Sequence, residues 1–515
     1  MSKFFNIAGP CIPEEHYLVP VLERLPQLPG LIATKQFFVI HAARQSGKTT
    51  LLKALARDLN AKATHVALYC SLETVQGIPD AERGVPAIAR AMLNGLIWHP
   101  AFKTQPRPTV DIFDYTMAVN SLLSQLAQAA GKPLVVLFDE ADCLSGQTMI
   151  SFLRQLRDGY VNRDMAPFPV SVALVGMRNI RDYKAQVRPD SETLGSASPF
   201  NIVTEALTLT NFTRTEIIAL YGQHTTETGQ LFEEAAFDRV LHWSCGQPWL
   251  VNALARECVE KLLNSDFTQP VTGALIDQAA EVLLHRRDTH IDSLLERLKE
   301  PRVRKIVEPV ILGREEAFDL LSDDCRYVLD LGILKQESGV LLPANPIYAE
   351  VILRTLAYNT QQQMTRMIPQ APWIDGDRLD MTGMLRAFQG FWRENSEIWQ
   401  ERYEYREAAP HIILQAFLQR VINGGGQIVR EYALGRQRID LLVCWQGSRY
   451  ALELKMKSQY RPEAAHAQLF GYLDRMGLTE GWLAVFDRNP AVSWEAKLTW
   501  QTLVSEGKTL HVVGL

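Results

Sequence analysis

The rhythm of apolar and polar positions changes several times along the chain, and each change predicts an element. Phe37–His41 is a short, nearly unbroken apolar run, the pattern of a strand buried on both faces of a parallel sheet. A polar loop, AARQSGKTT, follows it, and apolar residues then recur at helical spacing from Leu51 to Leu59. Leu134–Phe138 and the stretch VSVALVGMRN repeat the buried-strand pattern. From about Leu209 to Leu263 the spacing is helical, and more helices are predicted from Val271 to Leu356. Within them, YVLDLGILKQESGVLLPANPIYAEVILRTL reads as helix, strand, turn at Glu337–Gly339, strand, helix. Tyr358–Asp380 is polar and contains two prolines, which predicts a linker.

The C-terminal part changes rhythm again. PHIILQAFLQRVIN predicts an amphipathic helix with Pro410 near its first turn, stopped by Gly424–Gly426. Three strands follow, Gln427–Leu434, Arg438–Trp445 and Tyr450–Met456, then a helix, Pro462–Met476, and a strand, GWLAVFD. A two-residue turn at Gly447-Ser448 would pair Gln446 with Arg449. Asp440 would then lie opposite Lys455, with Glu453 its diagonal neighbour on the same face. Such a cluster can be plain cross-strand charge pairing. It can equally be a metal site, because Glu453 beside Asp440 would repel it unless a cation intervened.

Composition narrows the class. A length of 515 residues suggests several domains, and 47% hydrophobic with 22% charged residues is globular. No apolar run reaches membrane-spanning length, and the N-terminal stretch has no signal-peptide core, so a cytoplasmic location without membrane contact is expected. Seven scattered cysteines with no CxxC pair fit reduced thiols. The net charge of -5 excludes a chain that is basic throughout. Locally, Arg420–Arg461 carries eight basic and three acidic residues, a patch able to neutralise phosphates or simply a solvated face.

The chemistry concentrates in two places. Strand, AARQSGKTT loop and helix, in that order, are the context of a phosphate-binding loop, with Ala42 standing where its pattern has the first glycine. Ser46, Gly47 and Thr50 belong to the cradle, Lys48 would reach the β- and γ-phosphates of ATP, and Thr49 would hold Mg²⁺. The second apolar strand ends in Asp139-Glu140, where Asp139 would support Mg²⁺ and Glu140 would polarise the attacking water. Arg178 and Asn179 end the next strand, where a polar residue could sense the γ-phosphate. SCGQPWLVNALARE places Gly-Gln-Pro before a helix, as a site feature or as turn chemistry.

The loop, the LFDEAD strand, the polar-ended third strand and GQP resemble P-loop ATPases of the AAA+/STAND type, and more narrowly prokaryotic AAA-like ATPases with a C-terminal nuclease domain. The opening FNIAGPCIPEEHYLVP resembles the segment that helps enclose the nucleotide in such proteins. The resemblance implies that Arg157 or Arg163 acts on a neighbouring subunit's nucleotide, in a homo-oligomer. Asp440 with Glu453-Leu454-Lys455 resembles the PD-(D/E)XK nuclease superfamily, Ile439 standing at the proline position. Gln468 and Tyr472 match the QxxxY signature of one branch, able to contact a metal-bound water or the nucleic-acid backbone, and Glu407 could supply a first-helix acid. The implied fold class is a multidomain α/β protein. It comprises a P-loop ATPase parallel sheet (1–208), a helical lid (209–270), a winged-helix-like module (271–357), a linker and helical preamble (358–400), and an αβββαβ nuclease-like domain (401–515). The winged-helix-like module carries no basic cluster on its second helix, which favours a spacer over a DNA reader. The implied function is an ATPase gating a Mg²⁺-dependent phosphodiesterase acting on nucleic acid, DNA ahead of RNA, with a role in defence against foreign nucleic acid. The alternative is an ATPase signalling switch whose C-terminal fold binds nucleic acid or protein without cutting.

Overall fold

A computed structural model describes residues 3–97, 99–103, 105–177, 202–286, 289–311, 318–352, 355, 373–375, 378–402, 413–415, 417–418, 426–434, 437–458, 460–487, 489 and 491–515. Arg178, Asn179, Glu407 and Pro410 lie outside them. The chain divides into two compact units, one formed by Met1–Val307 with Ala317–Glu350, the other by Glu308–Glu316 with Val351–Leu515.

In unit 1 the apolar runs form strands because only a doubly covered parallel sheet buries them on both sides. β1 (Phe37–His41), β2 (Val66–Ser71), β3 (Leu134–Asp139), β4 (Ser171–Gly176) and β5 (Val203–Thr208) pair in the order β2-β3-β4-β1-β5, all parallel. Every residue of β3 and β4 is buried. Alternate residues feed two cores: Phe37 and Val39 face one, Phe38 and Ile40 the other. Helix α1 (Lys48–Ala61) fills the second core with Leu51, Leu52, Leu55 and Leu59. Helices α2 (Ala81–Leu96), α3 (Ala118–Ala129) and α4 (Gly146–Val161) fill the first. The registers bring His41 beside Gly176 and Ser71 beside Asp139, so the strands end together at one carboxyl edge, where ligands bind in such sheets.

Helices α5 (Arg214–Thr228), α6 (Glu234–Ser244) and α7 (Pro248–Arg256) follow, then α8 (Gly273–His285) and α9 (Thr289–Arg297). Thr213 and Glu216 form a capping box that starts α5. Helix α10 (Asp323–Asp330) leads into the hairpin of β6 (Leu334–Glu337) and β7 (Val340–Pro343), and 346–352 is helical.

Unit 2 holds a small hairpin, β8 (Ile374–Asp375) with β9 (Arg378–Leu379), and helix α11 (Met381–Arg402). Its main sheet contains β10 (Gly426–Leu434), β11 (Gln437–Trp445), β12 (Ser448–Met456), β13 (Glu480–Phe486), β14 (Trp500–Ser505) and β15 (Lys508–Gly514), ordered β10-β11-β12-β13-β15-β14. Met384, Leu385, Phe388 and Trp392 of α11 cover one face. Helix α12 (Pro462–Met476), the crossover between the parallel strands β12 and β13, covers the other with Ala465, Leu469, Tyr472 and Leu473.

Two expectations are corrected here. The sheet continues past GWLAVFD into the hairpin β14–β15, turned at Glu506-Gly507, both at positive φ. The β11–β12 turn is at Gln446-Gly447 rather than Gly447-Ser448, with φ of 42° and 85°. A tight hairpin turn with two left-handed residues wants glycine second, so Gln446 adopts that conformation and Ser448 stays in the strand. Trp445 therefore pairs with Ser448 and Leu441 with Leu452. The ladder stops at that pair, and beyond it the Asp440 and Glu453 carboxylates accept the backbone N–H groups of Leu454 and Asp440, so Lys455 is not the ladder partner of Asp440. The shift is of two residues, so every side chain keeps its face.

The Gly-Gln-Pro turn before α7 shows why a glycine is required. Gly246 has φ +74°, and a Cβ there would lie 1.9 Å from the Phe212 carbonyl oxygen. Gly246→Ala is expected to destabilise unit 1 by about 2 kcal/mol or more, read as a lowered midpoint in denaturant. An unchanged midpoint would contradict the packing described.

Candidate functional site

The first site is built by a strand that ends and a helix that begins. The loop leaves β1 at His41 and turns through Gln45, at φ 56°, and Gly47, at φ 95°, before Lys48 opens α1. Gly47 is the helix N-cap, so the unpaired N–H groups of the first turn face the loop's interior, an anion-binding arrangement. The Ser46 hydroxyl is buried with no hydrogen-bond partner. An orphan donor at this position is what a phosphate oxygen would satisfy, and it supports the fit of a nucleotide.

Lys48 is buried, and its Nζ donates to the carbonyls of Ala42 at 2.8 Å and Ala43 at 2.9 Å. Burial pulls its pKa down, against the upward pull of Glu140, Asp142 and Asp139. Thr49 Oγ1 donates to Asp139 Oδ2 at 2.6 Å, and Tyr69 OH donates to the same oxygen at 3.0 Å. The two groups expected to hold Mg²⁺ thus touch each other. A hydroxyl and a carboxylate suit that ion, which takes oxygen ligands and keeps several waters. Among the described residues no group of three or more His, Cys, Asp or Glu is placed to hold a metal, and this site requires none. Thr50 Oγ1 accepts from the backbone N–H of Cys11 at 3.0 Å, which ties the N-terminal segment to the loop.

Glu140 follows β3 in the left-handed conformation, φ 54°, which lifts its carboxyl out of the strand. Burial, then the Asp142 carboxylate, pushes its pKa up. That shift moves it toward the range of a useful general base. Sequence reasoning did not single out Tyr69 or Asp142. Asp142 Oδ2 accepts the Met177 N–H at 3.0 Å and so fastens the end of β4. Its signal was available, as the last acid of the LFDEAD string. Gln247 caps α7 by accepting the Leu250 N–H at 2.6 Å, and its amide donates to the Arg44 carbonyl at 3.4 Å. Arg163 donates to the Lys35 carbonyl at 2.8 Å and stacks over Tyr160.

The second site lies in unit 2. Asp440 Oδ2 accepts the Leu454 N–H at 2.7 Å, and Glu453 Oε2 accepts the Asp440 N–H at 3.3 Å. Lys455 Nζ donates to Glu453 Oε1 at 2.7 Å. Glu453 is 1% exposed, and burial, then Asp440, raises its pKa despite Lys455. For Lys455 burial disfavours the charge, but Glu453 and Asp440 outweigh it and its pKa rises. On α12, Gln468 Nε2 donates to Tyr472 OH at 2.6 Å. Tyr472 is 1% exposed within the core under α12, and its hydroxyl holds the Gln468 amide in place. The donor set of two carboxylates fits a hard divalent cation, and of the two causes that raise Glu453, burial first and the Asp440 charge second, an ion would offset the second.

The parallel sheet and the loop define a P-loop nucleotide-binding fold. Residues 32–183 match the family described as AAA domain, which agrees with the phosphate-loop fold of this part of the chain. No curated protein matches the chain. Similar solved structures include a Walker-type ATPase of Pyrococcus abyssi, 16% identical, covering 68% of this chain and 99% of that one, TM-score 0.48. The ORC2 protein of Aeropyrum pernix, in ADPNP–ADP complexes, is 13% identical over 67% of this chain and 97% of that one, TM-score 0.37. The RuvB Holliday junction branch migration motor of Thermotoga maritima is 14% identical over 69% and 96%, TM-score 0.34. No described helix is long and apolar enough to cross a membrane.

The raised pKa of Glu453 fixes a sign. A carboxyl protonated more readily in the folded state stabilises the fold at low pH and loses that contribution as pH rises through its folded pKa. Glu453→Gln is therefore expected to gain thermal stability over wild type as pH rises above the ordinary glutamate range, and Mg²⁺ should narrow the gap. Melting curves across pH check this; a variant less stable at neutral pH than at pH 4 relative to wild type would contradict it.

Proposed function

We propose that the protein is an ATP-dependent phosphodiesterase: an ATPase in unit 1 that gates a Mg²⁺-dependent nuclease in unit 2. The observation that carries the second half is the convergence of Asp440, Glu453 and Lys455 on two paired strands, beside the helix that bears Gln468. Asp440 and Glu453 would hold the ion, and Lys455 would orient a water or balance charge on the scissile phosphate. When bound, Mg²⁺ supplies Lewis-acid stabilisation of that charge. In unit 1, Lys48 and the start of α1 bind the phosphates, Thr49 and Asp139 would hold the ion, and Glu140 polarises the attacking water. The basic stretch Arg420–Arg461 supports a nucleic-acid substrate, DNA ahead of RNA. A homo-oligomer in the cytoplasm, acting in defence against foreign nucleic acid, completes this reading.

One observation favours a second reading, a switch that binds nucleic acid or protein without cutting. Both Glu453 oxygens already accept hydrogen bonds from protein donors, which makes the cluster self-sufficient. The deciding experiment incubates the full chain with DNA and with RNA, with Mg²⁺, with and without ATP. Cleavage that falls at least about 100-fold in Asp440→Ala is expected, because loss of a metal ligand should cost no less than the roughly 10–100-fold of losing a ligand's own hydrogen-bond partner. Lys48→Ala should abolish its dependence on ATP. Absence of cleavage under every condition would reject the nuclease, and binding without cleavage would establish the second reading.

A further inference from the structure

Unit 1 contains a cavity of about 320 Å³ beside the phosphate loop, and Gly47, Lys48 and Thr49 take no part in lining it. Distant stretches of chain build its wall: Arg44 from the loop, Gln247 before α7, His290 and Arg297 from α9, Lys335 from β6, and Tyr348 beyond β7. The volume is that of a small-molecule site. Its polar groups are held in place. Gln247 grips the Arg44 carbonyl, and Arg44 Nη1 donates to Ser293 Oγ. His290 stacks on Trp249 at 4.5 Å and shares a hydrogen bond with Tyr348 OH at 2.5 Å. Burial, then the Arg44 charge, holds the His290 pKa down to about 3, so the ring is a neutral hydrogen-bonding group.

The charge in the lining is unbalanced. Arg44, Arg297 and Lys335 face it with Glu337 as the single acid among the lining residues. Lys335 spends part of its charge on Glu337 at 2.8 Å, and Arg297 on Glu300 at 2.8 Å. Arg44 has a neutral hydroxyl as partner in Ser293. Two guanidinium forks and an ammonium suit an oxyanion with several acceptor atoms, which describes a phosphate better than a carboxylate. The amides of Gln247 and Asn345 and the hydroxyls of Ser293 and Tyr348 suit a hydroxylated body on that phosphate.

We propose that this cavity is a second ligand site, for a small hydroxylated phosphate monoester, separate from the nucleotide site on the loop. It stands independently of the nuclease reading. Because Arg44 belongs to the phosphate loop, ligand and nucleotide are coupled, and each alters the other's affinity by the same factor. The test is calorimetric titration of the full chain with ribose 5-phosphate, with ribose as the uncharged control. Wild type and Lys48→Ala should bind ribose 5-phosphate with similar affinity, and ribose should not bind. Lys335→Gln should weaken binding about tenfold, the scale of one charge-assisted hydrogen bond. Ser293→Phe, which fills the cavity without removing a charge, should abolish it while retaining ATP binding as proof of folding. Absence of saturable binding, its loss in Lys48→Ala, equal binding of ribose, or undiminished binding in both cavity variants would overturn the proposal.

Discussion

A carboxylate buried at the end of an apolar strand organises unit 1. Asp139 is 1% exposed, and an ionised group so placed costs several kcal/mol unless it is hydrogen-bonded. The hydroxyls of Thr49 and Tyr69 meet that demand on a single oxygen. Thr49 stands at the start of α1 and Tyr69 in β2, so one bond set locks a helix and two strands at the carboxyl edge of the sheet. The phosphate loop between β1 and α1 is then held open by its own geometry, with Lys48 buried over the same edge. Sheet order, loop and acid are one structure, because moving any of them strands a buried charge.

Unit 2 handles its buried charge in another way. Glu453 has an ammonium and a backbone N–H as partners, yet burial and Asp440 still push its pKa up. The charge conflict is local to β11 and β12. Tyr472, buried under α12, steadies the surroundings from below.

Much of this was legible in sequence because the decisive features are local. Unbroken apolar runs marked β1, β3 and β4, and the loop motif lay between strand and helix as its chemistry requires. The face shared by Asp440, Glu453 and Lys455 followed from a two-residue periodicity that survives any even slip in register. The pairing partner did not follow, because it depends on Gln446 accepting a left-handed conformation, which side-chain identity leaves open. The hairpin β14–β15 was missed although Glu506-Gly507 lies between alternating residues; β14 is an edge strand with no buried residue, so only β15 carries an apolar signal. Tyr69 and Asp142 were missed for a different reason. They act on Asp139 and Met177 through tertiary contacts that no spacing announces.

The proposed function rests on both carboxylate sites holding divalent ions, one under nucleotide and one on the hairpin. Electron paramagnetic resonance of Mn²⁺, a spectroscopic stand-in for Mg²⁺, reads this directly in the full chain with ATP. Two classes of bound ion are predicted, one lost in Thr49→Ala and the other in Glu453→Gln. A single class, lost in Thr49→Ala and untouched by Glu453→Gln, would contradict a metal site in unit 2 and with it the nuclease.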